Sequence, residues 1–301
     1  MKICSLLPSA TEILFAIGLG DQVVAVTHEC DYPPAARSKP VITRCAFDSE
    51  RMTPSEIDVA VRTLAAEGKS LYRIDERLLH ELAPDLIVTQ DLCHVCAITP
   101  QEVDRAIESL PQKPRIVSLS PKILDDVFND MLEIGRISGV DSMPVIKNLQ
   151  SRVRRIAPAA TLANQPSVAC IEWLDPLWRS GHWVPGMVQL AGGREVLTDV
   201  GKPSRPVGWD ELLAKNPDIV IFMPCGYDLM RTREEFERVR SRSAWQDLKA
   251  FRSQQLYIVD ANSYFSRSGP RLVEGVELLA EILHPEYFTH LAPLHSYIRV
   301  A

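Results

Sequence analysis

Short runs of β-branched and aliphatic residues alternate along the chain with longer stretches whose apolar positions recur at helical spacing. Lys2 to Leu6 reads as a strand, followed by a helix in which Ser9 and, three residues on, Glu12 form a capping box. VVAVTH gives a second strand. DLIVTQ is followed by the helical TPQEVDRAIESL, and RIVSLS by PKILDDVFNDMLEIGRISG. Thr53-Pro54-Ser55-Glu56 and Thr99-Pro100-Gln101-Glu102 each combine a capping Thr, Pro at the first helical position and Glu at the third, which predicts two further helix starts. The pattern then begins again with SVACIEW, a stop at Gly192-Gly193, DELLAKN, DIVIFMP, LYIVDAN and SGPRLVEGVELLAEILH. Between the two series Gly139 ends one helix, and Ser142 with Pro144 opens another whose Val145, Ile146, Leu149, Val153 and Ile156 fall on one stripe. The expected fold class is α/β: two parallel-sheet lobes, 1–140 and 163–301, joined by a single linking helix within 141–162. In open parallel sheets ligands sit beyond the carboxyl ends of the strands, so the post-strand loops are where chemistry is sought.

Composition narrows the function classes. The 301 residues include 33 Lys and Arg against 39 Asp and Glu, a formal charge of -6, with the cations scattered, so no electrostatic footprint for nucleic acid appears. No apolar run of about 18 residues is available to span a bilayer. The seven cysteines, Cys4, Cys30, Cys45, Cys93, Cys96, Cys170 and Cys225, are odd in number and spread through a mid-sized chain, which favours reduced thiols. The start superficially resembles a secretion signal, but Pro8, Thr11 and Glu12 interrupt it. The expected location is therefore cytoplasmic, or periplasmic or extracellular if the native start is longer.

The post-strand loops carry His28-Glu29-Cys30-Asp31-Tyr32-Pro33, Cys93-His94-Val95-Cys96, Pro224-Cys225-Gly226-Tyr227 and the stretch Trp173 to Trp183. Two thiolates three residues apart can point to one centre, and soft sulfur suits zinc or an iron–sulfur cluster. Cys30 and Cys225 would complete a four-thiolate shell with Cys93 and Cys96, with His28 or His94 replacing one ligand. The competing reading is that cysteine is a small apolar filler, which fits Cys4 and Cys170 inside strand-like runs. A redox pair is a third reading, set back by the three residues that separate Cys96 from the helix cap at Thr99.

Aromatic residues crowd the same loops: Tyr32, Trp173, Trp178, Trp183, Trp209, Tyr227, Tyr264 and Phe265, with Arg267 alongside. Flat rings suit a large planar ligand, while rings that close the cores of loop-rich regions are the ordinary alternative. Hydrolytic, phosphoryl-transfer and dinucleotide motifs are missing from the sequence, and no residue is assigned a catalytic role.

The marks SLLPSATEILFAIGLGDQVVAVT, CDYPP, LAPDLIVT, SLSP, AGG with VGWDELLAKNPDIVIF, and NSYFSRSGPRLVEGVELLAEIL occur in an order that resembles one family over nearly the whole chain. This is the Fe/cobalamin periplasmic-binding-domain family of ABC transporter substrate-binding proteins, of the helical-backbone metal receptor type. The resemblance implies a periplasmic-binding-protein-like, TroA-like fold whose linking helix is rigid, with ligand held in the cleft between the lobes. It further implies a corrinoid (cobalamin) or related metal chelate as ligand, contacted by Tyr32, Trp173, Trp183, Trp209, Tyr264, Phe265 and Arg267. Docking to transporter membrane subunits would use Glu76, beside an Arg77 that takes the family's acidic place, and Asp210 or Glu211. The rival expectation is a cytoplasmic metalloprotein or enzyme whose zinc or iron–sulfur site is built from Cys30, Cys93, Cys96 and Cys225.

Overall fold

The computed structural model describes residues 1–48, 52–66, 71–91, 98, 100–108, 110–158, 164–241 and 243–300. The chain divides into two compact units, one of residues 1–121 and 126–146, the other of 122–125 and 147–301. In the first run β1 (Ile3–Ser5), α1 (Pro8–Ala16), β2 (Val23–Ala25), β3 (Thr43–Cys45), α2 (Pro54–Ala66), β4 (Tyr72–Ile74), α3 (Glu76–Leu82), β5 (Leu86–Gln90), α4 (Pro100–Ile107), β6 (Arg115–Leu119) and α5 (Leu124–Ser138). Then α6 (Met143–Ile156) carries the chain across the division, which falls between Ile146 and Lys147, so the joining helix is shared by the two units. The second run continues with β7 (Ser167–Leu174), β8 (Leu177–Arg179), α7 (Val184–Leu190), β9 (Arg194–Glu195), β10 (Arg205–Pro206), α8 (Trp209–Lys215), β11 (Ile219–Phe222), α9 (Leu229–Val239), α10 (Lys249–Arg252), β12 (Leu256–Val259), α11 (Ala261–Tyr264), α12 (Leu272–Leu283) and β13 (Tyr297–Arg299).

The first unit holds a wholly parallel sheet in the order β2-β1-β5-β6, as expected, together with a small β3-β4 pair. The second sheet has the expected parallel strands at its centre, β7 beside β11 beside β12, and adds β8, β10 and β13 antiparallel toward its edges. Asp175-Pro176 turns β7 straight back into β8, a two-residue connection that only antiparallel strands accept.

Local chemistry accounts for most of the boundaries. Thr53 and Glu56 form the predicted capping box at α2: Thr53 N–H donates to Glu56 Oε2 at 2.8 Å, and Glu56 N–H returns to Thr53 Oγ1 at 3.4 Å. The same reading fails at α1, which begins at Pro8 after an extended Leu7 with no side-chain cap; Ser9 and Glu12 are buried within its first turns. There proline's fixed φ starts the helix, and Thr11 takes up the slack by donating to Ser5 Oγ at 2.8 Å. Pro100 opens α4 as expected, while Thr99 lies outside the described residues. Gly139, at φ +71°, ends α5, and Gly192, at φ +85°, follows α7, both where a left-handed residue is needed.

The two units repeat one construction. In each, a short helix ends on a left-handed residue, Ala83 after α3 and Asn216 after α8, one turn beyond a buried leucine, Leu79 or Leu212. An aspartate then clamps the neighbouring strand: Asp85 Oδ2 accepts Lys2 N–H at 2.7 Å, and Asp218 Oδ2 accepts Ser167 N–H at 2.8 Å. In the second core Trp245 is fully buried, its Nε1–H donating to Val239 O at 3.1 Å and its ring edge-on to Phe222 at 5.2 Å. The later part of α6 is tied to α12 by Arg152, whose guanidinium donates to both oxygens of Glu277 at 2.9 and 2.5 Å. Among the described residues no helix is long and apolar enough to cross a membrane.

Two glycines predict opposite outcomes for one substitution. A Cβ on Gly275 would sit 2.4 Å from Tyr264 O and 2.7 Å from Met187 Cε, so Gly275→Ala is expected to destabilise by about 1–3 kcal/mol in chemical denaturation. A Cβ on Gly186, inside α7, meets only Val200 at 3.4 Å, so Gly186→Ala is expected to stabilise by about 0.5–1 kcal/mol. A second prediction concerns Glu195 in β9, whose Oε2 accepts Cys170 N–H at 3.0 Å and whose Oε1 accepts Leu197 N–H at 2.9 Å. Burial pushes this carboxyl up to about 7 despite those donors. The folded state thus holds its proton more tightly than the unfolded one. The stabilisation is complete below the unfolded value and is lost as pH rises through about 7. At about 1.4 kcal/mol per unit the effect is bounded near 3 kcal/mol. Denaturation midpoints of the unaltered protein are expected to fall across this window, and Glu195→Gln to lack that slope.

Candidate functional site

In the first unit the loops after β1 and β2 meet the β3-β4 pair around a small pocket lined by Leu6, Pro8, Thr27, His28, Glu29, Thr43, Tyr72 and Ile98. His28 is the chemically distinctive group. Its Nδ1 lies 2.9 Å from the buried Thr43 Oγ1, which also accepts the His28 backbone N–H at 3.3 Å. Its Nε2 lies 3.5 Å from Glu29 Oε1, and the Tyr72 ring stands 5.7 Å from the imidazole. Behind the loop, Cys30 is buried with Sγ 3.1 Å from both Thr11 Oγ1 and Thr27 Oγ1 and 3.4 Å from Thr27 N. Tyr32, 42% exposed, stands on the surface of this loop, and Arg37 Nε–H donates to Asp31 O at 2.9 Å.

The second unit assembles its strand-end groups from three loops. After β7, the half-buried Trp173 has its ring 5.3 Å from that of Tyr227, which follows β11. Tyr227 is only 3% exposed, and Arg231 stacks over its ring at 4.0 Å. Trp173 Nε1 and Tyr227 Oη are both buried with no hydrogen-bond partner, which is uncommon for such groups. Burial pushes the Tyr227 hydroxyl up to about 12, outweighing the pull of Arg231. Cys225, exposed, is fixed by its backbone, with N–H donating to Glu172 O at 3.2 Å, and Gly226 N–H donates to Ser266 Oγ at 3.0 Å. From the loop after β12, Asn262 N–H donates to Tyr227 O at 3.0 Å, and its Oδ1 accepts from the buried Arg267 Nη2 at 2.9 Å. Asp260 caps this segment by accepting Ser263 N–H at 3.0 Å.

Three of the residues expected to contact ligand are packed against their own unit. Phe265 is 3% exposed and packs against α12, so its ring fills the core. Trp183 is buried, and its Nε1–H is spent on Phe265 O at 2.8 Å. Trp209 packs on the second core, edge-on to Trp245 at 4.4 Å. Of the other expected contacts, Tyr32 is exposed, Trp173 and Tyr264 are half-buried and Arg267 is buried, with Arg271 placed 5.9 Å from the Tyr264 ring.

Of the four cysteines expected to hold metal, Cys93 and Cys96 lie outside the described residues, as does His94. Cys30 is enclosed by hydroxyls and Cys225 is exposed, and among the described residues no group of three His, Cys, Asp or Glu side chains could hold a metal ion. Cys4 and Cys170 are buried fillers; burial pushes Cys4 up to about 12 and Cys170 well above the usual thiol range. The residues missed by sequence reasoning are Thr43 and Tyr72. They sit on three-residue strands too short to show alternation, and only the spacing of apolar Ile42 and Ile74 beside them offered a signal.

Glu76 is exposed at the start of α3, and Asp210 is exposed in the first turn of α8. Glu211 is engaged by Arg179 Nη1 at 2.8 Å. Counting back from the matching left-handed residues, Arg77 occupies the place that Asp210 holds in the second unit, and it pairs with Glu81 at 2.9 Å.

Residues 3–263 match the Periplasmic binding protein family. An ABC transporter substrate-binding lipoprotein of Bacillus subtilis, itself uncharacterised, is 25% identical, the match covering 95% of this chain and 81% of that protein. A vitamin B12-binding protein of Vibrio cholerae is 23% identical over 94% of this chain and 88% of its own. Among solved structures, the periplasmic vitamin B12 binding protein of Vibrio cholerae superposes with a TM-score of 0.68 at 21% identity, covering 96% of this chain and 98% of that one. A periplasmic heme-binding protein from Roseiflexus gives 0.67 at 20% identity, covering 94% and 98%. These structures share the fold, and the family match over most of its length places this chain in the Periplasmic binding protein family.

Proposed function

We propose that the protein binds a corrinoid (cobalamin) or a comparable metal chelate for delivery to an ABC transporter. The observation that carries this reading is the combination at the strand ends of the second unit: flat rings at Trp173 and Tyr264, unspent polar groups on Trp173 and Tyr227, and the buried guanidinium of Arg267. Stacking surfaces with a few convergent polar groups suit a large planar ligand with an amide-bearing rim. The first unit carries an exposed ring of its own at Tyr32. The vitamin B12-binding relatives support the corrinoid, and the heme-binding neighbours support the wider class of metal chelates. Docking to the transporter's membrane subunits is assigned to the exposed carboxylates Glu76 and Asp210, with Glu211 held in its ion pair to Arg179.

Calorimetric titration of the reduced protein at neutral pH with cobalamin, and separately with hemin, tests the ligand class. A cobalamin Kd near or below about 1 μM, equivalent to about -8 kcal/mol, is expected. Trp173→Ala is expected to weaken binding by about tenfold or more, as loss of a central aromatic anchor does. Tighter binding of hemin would move the assignment to a porphyrin, and no heat with either would overturn it.

A further inference from the structure

The way the second unit holds its stacking ring carries an inference that rests on the ligand reading above. A buried indole is ordinarily oriented by its N–H, as in Trp183, whose Nε1–H donates to Phe265 O at 2.8 Å. Trp173 has no such anchor, since its Nε1 is buried without a hydrogen-bond partner. Its ring instead meets that of Tyr227, the centroids 5.3 Å apart and the planes tilted by 59°. Tyr227 is tied down through its main chain, N–H donating to Pro224 O at 3.0 Å and O accepting Asn262 N–H at 3.0 Å. Those bonds fix where the side chain starts and leave the torsions of its ring to packing.

The group over that ring is Arg231, its guanidinium carbon 4.0 Å from the centroid. A guanidinium is planar, stacks on an aromatic face and is attracted to it by charge. Arg231 is well placed to act as a fixed plate. It lies in the first turn of α9, where its N–H donates to Asp228 Oδ1 at 2.8 Å, and its side chain is half-buried. One turn on, the buried Glu235 pairs with Arg238 Nη1 at 2.5 Å, and the charges of Arg238 and Arg231 both oppose the upward push of burial on its carboxyl. We propose that Arg231 is a positioning residue for ligand binding: stacked over Tyr227, it holds that ring as the support on which the Trp173 indole is set. A helix side chain thereby acts on the ligand through two rings, neither of which is oriented by a hydrogen bond from its own polar atom.

A double-mutant cycle on the full chain, read by calorimetric titration with cobalamin, tests this. Where hemin is the tighter ligand of the unaltered protein, the same cycle is run with hemin. Arg231→Gln is expected to weaken binding about fivefold in the unaltered protein and by less than about twofold in the Trp173→Ala background, because an effect transmitted through the indole vanishes with it. Arg238→Gln removes a neighbouring charge of α9 and leaves the stack, so its affinity is expected to stay within about twofold. Should Arg231→Gln not fold, Arg231→Lys, which keeps the charge beside Glu235 and loses the flat group, carries the same cycle with an expected loss of about threefold. An undiminished affinity in the Arg231 variants, a loss that persists in full in the Trp173→Ala background, or an equal loss in Arg238→Gln would each overturn the assignment and leave the ligand reading intact. Absence of heat with both ligands in the unaltered protein would instead strike the ligand reading, and the inference with it.

Discussion

In each unit one aspartate holds two parallel strands in register at the end opposite the loops. Asp85 accepts Lys2 N–H while β1 pairs with β5, Ile3 opposite Leu86; Asp218 accepts Ser167 N–H while β7 pairs with β11, Val168 opposite Ile219. A slip of one residue would turn every side chain of a strand to the other face. Fully buried strands such as Leu86–Gln90 and Ile219–Phe222 lack an apolar–polar alternation to resist such a slip, so a polar clamp at the strand start supplies the missing specification. Lys249 and Ser167 both donate to Asp218; burial pulls its carboxyl upward, and these donors together hold it down at about 2, ionised throughout the physiological range. With register set at one end, the residues that emerge at the other end are placed as well.

The elements legible in the sequence are those whose signal is local. Of the predicted stripe on α6, Ile146, Leu149 and Ile156 are buried and Val145 and Val153 half-buried, and α2 starts where Thr53 and Glu56 say. The Ser9–Glu12 pair shows the limit of that reasoning, because a proline one residue earlier starts α1 first and turns both side chains inward. Edge strands β8, β10 and β13 were not legible: two or three residues carry no periodicity, and their pairing is decided by partners far away in the chain. Helix α9 was hidden by charge, since only Thr232, Glu235, Phe236 and Val239 of its eleven residues are buried.

The candidate site was legible as an inventory and not as a set of roles. Trp173 and Trp183 look alike in sequence, yet Trp183 finds an acceptor in Phe265 O, 82 residues away, while Trp173 finds none. That difference decides which ring is a strut and which retains an unspent donor, and it depends wholly on long-range packing. Cys30 and Cys225 divide likewise. One is enclosed by two threonine hydroxyls, the other exposed on a backbone-anchored turn, although both follow strands and both stand in polar loops. The partner of His28 is Thr43, on a strand that sequence periodicity does not reveal.

The repeated construction also explains why the two units need not bind alike. Their strand clamps, buried leucines and left-handed helix ends correspond, but the side chains displayed beyond the strands do not. The first unit displays an imidazole, hydroxyls and a carboxylate. The second displays rings, a guanidinium and a buried indole N–H without a partner. Stacking discriminates poorly between flat faces, so in the second unit any choice among planar ligands would fall to the polar groups beside the rings rather than to the rings themselves.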